Sequence, residues 1–188
     1  MDLKKLTQQV EKLGDICSFV NGDRGKNYPS TSAFIEKGIP FINAGNLSKN
    51  KIDTNKLNYI SRDRFDLLSS GKIRKGDFLF CLRGSLGKFA IVDNIIEGAI
   101  ASSLVIIRGG DRVTTGYLLE YLRSSLCQNE IEKFGNGAAQ PNLSAKDLGE
   151  FKIPLPPLSE QKRIAAILDK ADNLRRKRQQ AIQLADQF

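Results

Sequence analysis

Apolar runs along the chain predict a core of short β-strands. Residues 78–82 and 89–92 are apolar throughout, and residues 102–108 contain the apolar run 104–107, which is typical of strands buried on both faces. Residues 38–47 combine a short apolar run with a polar loop, and residues 151–156 predict a last strand. These segments account for the predicted sheet structure.

Apolar residues spaced three and four positions apart predict helices in other parts of the chain. Residues 2–13 show this spacing near the N-terminus, and residues 115–134 show it in the second half. A further short helix is expected within residues 56–70. Strand-like and helix-like segments in one chain predict an α+β fold.

The composition changes at Pro156-Pro157, after which a helical pattern continues to the last residue. Ser159 is the predicted N-cap, with an acidic residue following it. We therefore divide the chain into a globular domain, residues 1–155, and a helix, residues 156–188.

Apolar positions in this last helix repeat every seven residues, which is typical of a coiled coil. A long helix with one apolar stripe needs a partner helix. That partner could be a second copy of the chain, another subunit, or a segment outside this sequence. The predicted helix-pairing residues are Ile164, Ile167, Leu168, Ala171, Leu174, Ala181 and Ile182.

The chain is strongly basic, with 29 Lys and Arg against 21 Asp and Glu and a net charge of +8. This charge favours a polyanion such as nucleic acid or an anionic membrane surface, although a merely soluble basic protein is the alternative. The absence of histidine excludes His-based catalysis and His metal ligands. No apolar run approaches the roughly 18 residues of a membrane span, and three cysteines without CxxC spacing indicate reduced thiols in the cytoplasm.

The stretch "FCLRGSLGKFA", residues 80–90, has two glycines and a lysine but does not fit a nucleotide-binding loop. Such a loop requires glycine where Leu82 stands, and a hydroxyl residue where Phe89 follows the lysine. The flanking apolar runs instead predict a β-hairpin. Its basic tip is a candidate contact to phosphates.

Polar side chains on loops are the second feature that indicates nucleic-acid binding. Arginine pairs with guanine, and asparagine and glutamine pair with adenine, when a rigid core presents them. Asparagine also forms turns, so a structural role for any single one stays open, and Tyr28 could stack on DNA or pack in the core. The candidate DNA-binding residues are Arg24, Lys26, Asn27, Tyr28, Asn43, Asn46, Lys49, Arg83, Ser85, Lys88, Gln140 and Asn142.

Four stretches together resemble a known protein family. "PLPPLSEQKRIAAILDKAD" (154–172), "KGDFLFCLRGSLGKFAIV" (75–92), "ASSLVIIR" (101–108) and "AAQPNLSAKDLGEFKIPLPPL" (138–158) are similar to the DNA specificity (S) subunits of type I restriction-modification enzymes. "GIPFINAGNL" (38–47) fits the same pattern. The resemblance covers almost the whole chain.

The resemblance implies a target recognition domain that reads part of a double-stranded DNA site, followed by a spacer helix. It implies a non-catalytic role beside adenine methyltransferase (M) subunits and a motor-nuclease (R) subunit in the cytoplasm. S-adenosylmethionine, ATP and magnesium are then expected on those partner subunits, and no cofactor is expected on this chain.

A full S subunit has two recognition domains and two antiparallel helices. This chain has one of each, so we expect a truncated chain or a half-subunit, of which two copies could pair.

The resemblance also separates the roles of the candidate residues. Arg83 and Lys88 belong to motifs that the family shares although its members read different DNA sequences. These two side chains are therefore expected to position the DNA backbone or to stabilise the fold. Base-reading side chains are expected chiefly within residues 23–32 and 46–58.

Three other functions stay open at this point. Glu150 and Lys152, with Asp147 nearby, resemble part of a nuclease signature, although such spacing is frequent by accident. A pure assembly module would use only the helix. A fused methyltransferase-nuclease could use the same recognition domain, whereas this chain shows no methyltransferase motif of its own.

Overall fold

The computed structural model describes residues 9–95, 97–134 and 142–185, and it confirms the predicted α+β class. Within these ranges, short strands form four small sheets, and the last helix is much longer than the others. The strands are β1 (Val10–Lys12), β2 (Cys17–Asn21), β3 (Ile39–Ile42), β4 (Leu47–Ser48), β5 (Lys51–Ile52), β6 (Asn58–Ile60), β7 (Phe78–Cys81), β8 (Phe89–Ile91), β9 (Ala99–Ile100), β10 (Leu104–Gly109) and β11 (Lys152–Pro154). The helices are α1 (Leu13–Ile16), α2 (Arg62–Leu67), α3 (Thr115–Arg123), α4 (Ser125–Phe134), α5 (Ala145–Gly149) and α6 (Leu158–Ala185).

The central sheet has the antiparallel order β2-β10-β7-β8 and explains the long apolar runs. Successive side chains of a strand point to opposite faces, and both faces of this sheet are covered. Phe78 and Phe80 belong to a core with α1, α3, α4 and α5, whereas Leu79 and Cys81 belong to a second core on the other face. Strands β7 and β8 pair antiparallel, so the predicted hairpin is present.

A smaller sheet, β6-β3-β9, supports the second face. Its middle strand β3 is antiparallel to β6 and parallel to β9. Ile42 and Ile100 extend from it into the second core, while Phe41 and Phe65 form a third cluster with α2.

The predicted N-terminal helix is wrong where the structure describes it. Val10–Lys12 form β1, which pairs with Lys152–Pro154 at the other end of the domain. The amide of Leu155 also donates to the carbonyl of Gln9 at 2.7 Å. Strand pairing outweighs the helical spacing here, and residues 1–8 lie outside the described residues.

The predicted helix over 115–134 is divided at Ser124. Its hydroxyl donates to the carbonyl of Tyr121 at 2.7 Å and accepts from the amide of Cys127 at 3.4 Å. A serine side chain that bonds locally in this way competes with the helical ladder. The outcome is two helices, α3 and α4, instead of one.

Helix α6 begins one residue earlier than the predicted cap at Ser159. The carbonyl of Pro157 accepts from the amides of Glu160 and Gln161. Gln161 is fully buried and joins α6 to the domain. Its side-chain oxygen accepts from the amide of Thr114 at 2.8 Å, and its nitrogen donates to the carbonyls of Arg112 and Pro156, both at 2.9 Å.

Replacing Gln161 by alanine is expected to lower the free energy of unfolding by about 3 kcal/mol, because buried backbone groups lose their partners. Urea denaturation followed by circular dichroism measures the change. Gln179→Ala, at an exposed position of the same helix, is the matched control and should change stability by less than about 0.5 kcal/mol. Equal stability of the two variants would contradict the role given to Gln161.

Candidate nucleic-acid interface

Three chain segments meet at one edge of the central sheet. Val105 pairs with Asn21, and Leu104 pairs with Cys81, so β2 and β7 end at the same edge. The loop after β2, the hairpin after β7 and the start of α5 line a groove there with a volume of about 450 Å³. Its lining residues are Asn21, Arg24, Leu82, Arg83, Asn142, Leu143, Ser144, Ala145, Lys146 and Asp147.

Three cationic side chains reach this groove from different segments: Arg24, Arg83 and Lys146. Asp147 is the acidic lining residue, and its carboxylate accepts from the amide and the hydroxyl of Ser144 at 2.9 and 2.7 Å. Among the described lining residues, three cationic side chains against one carboxylate make the groove basic. We call the groove lined by these residues, which include Asn142, the basic groove.

The β7–β8 hairpin holds Arg83 at the rim of the basic groove. The Nε of Arg83 donates to the side-chain oxygen of Asn142 at 3.1 Å, and the amide of Leu143 donates to the carbonyl of Leu82 at 3.0 Å. Gly87 adopts a φ of +79° and approaches α4 so closely that a Cβ atom would lie 2.7 Å from Ile131. The hairpin tip is thus fixed on both sides.

The candidate DNA-binding residues in the loop after β2 have different surroundings. Arg24 lies in the basic groove, where it donates to the carbonyl of Ser102 at 3.2 Å, and Lys26 is exposed. The side chain of Asn27 donates to the carbonyl of Leu67 at 3.0 Å, and Tyr28 packs edge-on against an aromatic ring of the third cluster. Asn27 and Tyr28 therefore support the loop, and Tyr28 keeps 36% of its surface exposed.

Asn43 and Asn46 form a capping box around a short 3-10 helix, Ala44–Asn46. Asn46 is only 3% exposed. Its oxygen accepts from the amide of Asn43 at 3.0 Å, and its nitrogen donates to the carbonyl of Lys56 at 2.9 Å. Base contact by these residues stays a prediction, which the geometry of Asn46 does not favour.

The remaining predicted contacts are spread over the surface. Ser85 is exposed at the hairpin tip, but Lys88 is half-buried and its Nζ donates to the carbonyl of Ala44 at 3.3 Å. Lys49 lies in a two-residue turn beside α6, away from the basic groove. Gln140 lies outside the described residues.

Sequence reasoning missed Lys146, which is exposed on α5 and lines the basic groove. The available signal was the serine at 144 followed three residues later by an acidic residue, which is typical of a helix N-terminus. The structure forms that capping box: the hydroxyl of Ser144 accepts from the amide of Asp147 at 3.1 Å.

The predicted pairing stripe of α6 is divided between two surfaces. Ile164 packs against the first core, and Leu168 lies in a groove with Phe89 and Leu122 but is still 41% exposed. The others face solvent in the single chain: Ile167, Ala171, Leu174, Ala181 and Ile182.

Arg123 links α6 to the domain at a second point. Its guanidinium lies 2.8 Å from the carboxylate of Glu120 and 3.7 Å from that of Asp172 on α6. Its Nε donates to the side chain of Asn50 at 3.3 Å. One side chain therefore joins α3, α6 and the turn between β4 and β5.

The α+β fold with its long last helix is shared with known proteins. The family model of the type I restriction modification DNA specificity domain matches residues 6–184. This chain therefore belongs to that family.

Relatives and solved structures agree with this assignment. The MjaX specificity subunit of Methanocaldococcus jannaschii is 33% identical over 173 residues, which cover 88% of this chain and 40% of the relative. The EcoKI specificity subunit of Escherichia coli is 24% identical over 85% of this chain and 35% of its own length. The HsdS subunit of Thermoanaerobacter tengcongensis superimposes with a TM-score of 0.69 at 25% identity, over 93% of this chain and 39% of that subunit.

The type IIG restriction endonuclease BpuSI shares the fold alone. It superimposes with a TM-score of 0.63 at 10% identity, over 87% of this chain and 26% of the endonuclease. The chain therefore spans about 40% or less of the length of each of these proteins. Within the described ranges, no helix is long and apolar enough to cross a membrane, and no group of three His, Cys, Asp or Glu side chains could hold a metal ion.

Proposed function

We propose that the domain binds a specific sequence of double-stranded DNA through the basic groove. The observation that carries the proposal is the convergence of Arg24, Arg83 and Lys146, from three separate segments, at one edge of a rigid sheet. Arginine forks fit phosphate oxygens and the guanine edge, and the amide of Asn142 fits adenine. Membership of the specificity-domain family supports DNA as the ligand.

The proposed role in the cell is to direct other subunits to that DNA site. The relatives are specificity subunits of type I restriction enzymes, and one similar solved structure comes from work on the assembly of a type I restriction-modification system. We propose that this chain performs no catalytic step. Adenine methyltransferase and motor-nuclease subunits would then supply the chemistry, together with S-adenosylmethionine, ATP and magnesium, in the cytoplasm.

Selection from a random duplex pool at about 150 mM salt tests sequence-specific binding. We expect one enriched motif, with an affinity that falls steeply as salt rises because Lys and Arg contacts release counterions. An inverted repeat would indicate two paired copies, and a single short block would indicate one. Retention without enrichment would contradict specific recognition by the isolated chain.

Arg83→Ala and Lys146→Ala should each weaken binding to all duplexes by about fivefold and reduce the salt slope by about one, as expected for lost phosphate contacts. Fluorescence anisotropy with selected and scrambled duplexes measures both. Lys177→Ala is the control, because it removes the same charge from an exposed position far along α6. An equal loss in the control variant would mean that net charge, and not the basic groove, governs binding.

A second function, pairing of two copies through α6, is favoured by the large apolar side chains that this helix exposes. Ile167, Leu174 and Ile182 are 55%, 68% and 52% exposed in the single chain. Two such stripes would cover each other in a coiled coil.

Leu174→Glu is expected to convert a dimer to a monomer, because a buried carboxylate without a partner is costly. Light scattering at several protein concentrations measures the mass. Gln180→Glu adds the same charge on another face of α6 and should leave the mass unchanged. The same mass for Leu174→Glu and the wild-type chain would exclude Leu174 from a homodimer contact.

A further inference from the structure

The loop that carries Arg24 and Lys26 is organised by one buried carboxylate. Asp23 is 5% exposed and accepts three hydrogen bonds. The amide of Gly25 donates at 2.6 Å, and Ser69 donates through its amide at 2.7 Å and its hydroxyl at 2.9 Å. Backbone donors on both sides hold the pKa of Asp23 below its ordinary value.

The last residue of α2 and the segment after it, residues 67–71, contact the same part of the chain at further points. The hydroxyl of Ser70 donates to the carbonyl of Asn21 at 2.9 Å, and the carbonyl of Leu67 accepts from the side chain of Asn27 at 3.0 Å. Gly71 has a φ of +78°, and a Cβ atom there would lie 2.9 Å from the Cα of Gly22. The two segments therefore fit together backbone against backbone.

Asp23 forms no ion pair with the residues that the structure describes, which is unusual for a buried carboxylate. Its compensation comes from donors that lie at fixed backbone positions. The side chain of Asp23 accepts from the backbone amide of Gly25 and so spans residue 24. This hydrogen bond fixes the backbone conformation at Arg24. The side chain of Arg24 then extends over Ser102 into the basic groove.

We propose that Asp23 is a positioning residue for DNA recognition: through Ser69 it holds the loop 22–28 so that Arg24 and Lys26 face the DNA. This inference rests on the proposed DNA-binding function and adds a residue that does not itself touch DNA. It predicts that sequence preference depends on a carboxylate that is almost inaccessible to solvent.

Asp23→Asn keeps the shape of the side chain but places an amide NH₂ among hydrogen-bond donors. We expect its affinity for the selected duplex to fall at least about tenfold, whereas its affinity for scrambled duplex changes less than about twofold. Asp169→Asn makes the same charge change on the exposed surface of α6 and is the matched control.

Ser69→Ala and Ser69→Thr are milder variants that keep the proposal testable if Asp23→Asn does not fold. Ser69→Ala removes only the hydroxyl bond and should lower the preference for the selected duplex about threefold, and Ser69→Thr should restore it. Circular dichroism melting curves measure whether each variant is folded.

The outcomes separate this inference from the function on which it rests. A wild-type chain without any preferred duplex would defeat the proposed function itself. If the wild-type chain is specific and both Asp23→Asn and Ser69→Ala keep its preference, the positioning role of Asp23 is wrong. A parallel loss of specific binding, non-specific binding and melting temperature would reduce Asp23 to a stabilising residue, which also overturns the inference.

Discussion

The buried side chain of Gln161 is the interaction on which the relation between domain and helix depends. It accepts from the backbone of Thr114, and the hydroxyl of Thr114 caps α3 by accepting from the amide of Tyr117 at 3.3 Å. Two helices therefore begin at one hydrogen-bonded point. Because the side chain of Gln161 is fully buried, water does not readily replace its hydrogen-bond partners, and losing one of them costs free energy.

From that point, hydrogen bonds continue through α3 to the strand that precedes α6. The hydroxyls of Tyr117 and Tyr121 donate to the carbonyls of Pro154 and Lys152 at 2.7 and 3.2 Å. Burial raises the pKa of both tyrosines above its ordinary value, which already keeps the hydroxyls protonated at neutral pH. Since α3 also packs on the central sheet, the sheet edge that forms the basic groove and the start of α6 belong to one connected framework.

Secondary structure could be predicted from the sequence where the local apolar pattern determines it. The prediction was wrong where a partner distant in sequence determines the structure. Strands β7, β8 and β10 were predictable because their apolar runs fill two cores at once. Strand β1 was not, since its partner β11 lies at the far end of the domain. Residue type alone suggested Asn46 as a base contact, although its amide serves the fold. The convergence of Arg24, Arg83 and Lys146 depends on strand order, which no local pattern reveals.

The heptad pattern of α6 includes residues that pack on the domain and residues that remain exposed, and the sequence alone does not distinguish the two groups. Ile164 packs on the domain and Leu168 lines a groove beside it while 41% exposed, whereas Ile167 and Leu174 lie on the surface. Helix α6 has 28 residues, or about 42 Å at the usual rise. Gln161 holds its first turn, and the contact between Arg123 and Asp172 lies three turns further along. Two attachments along one rigid helix define its direction, so any partner on the exposed stripe would lie at a fixed orientation to the basic groove.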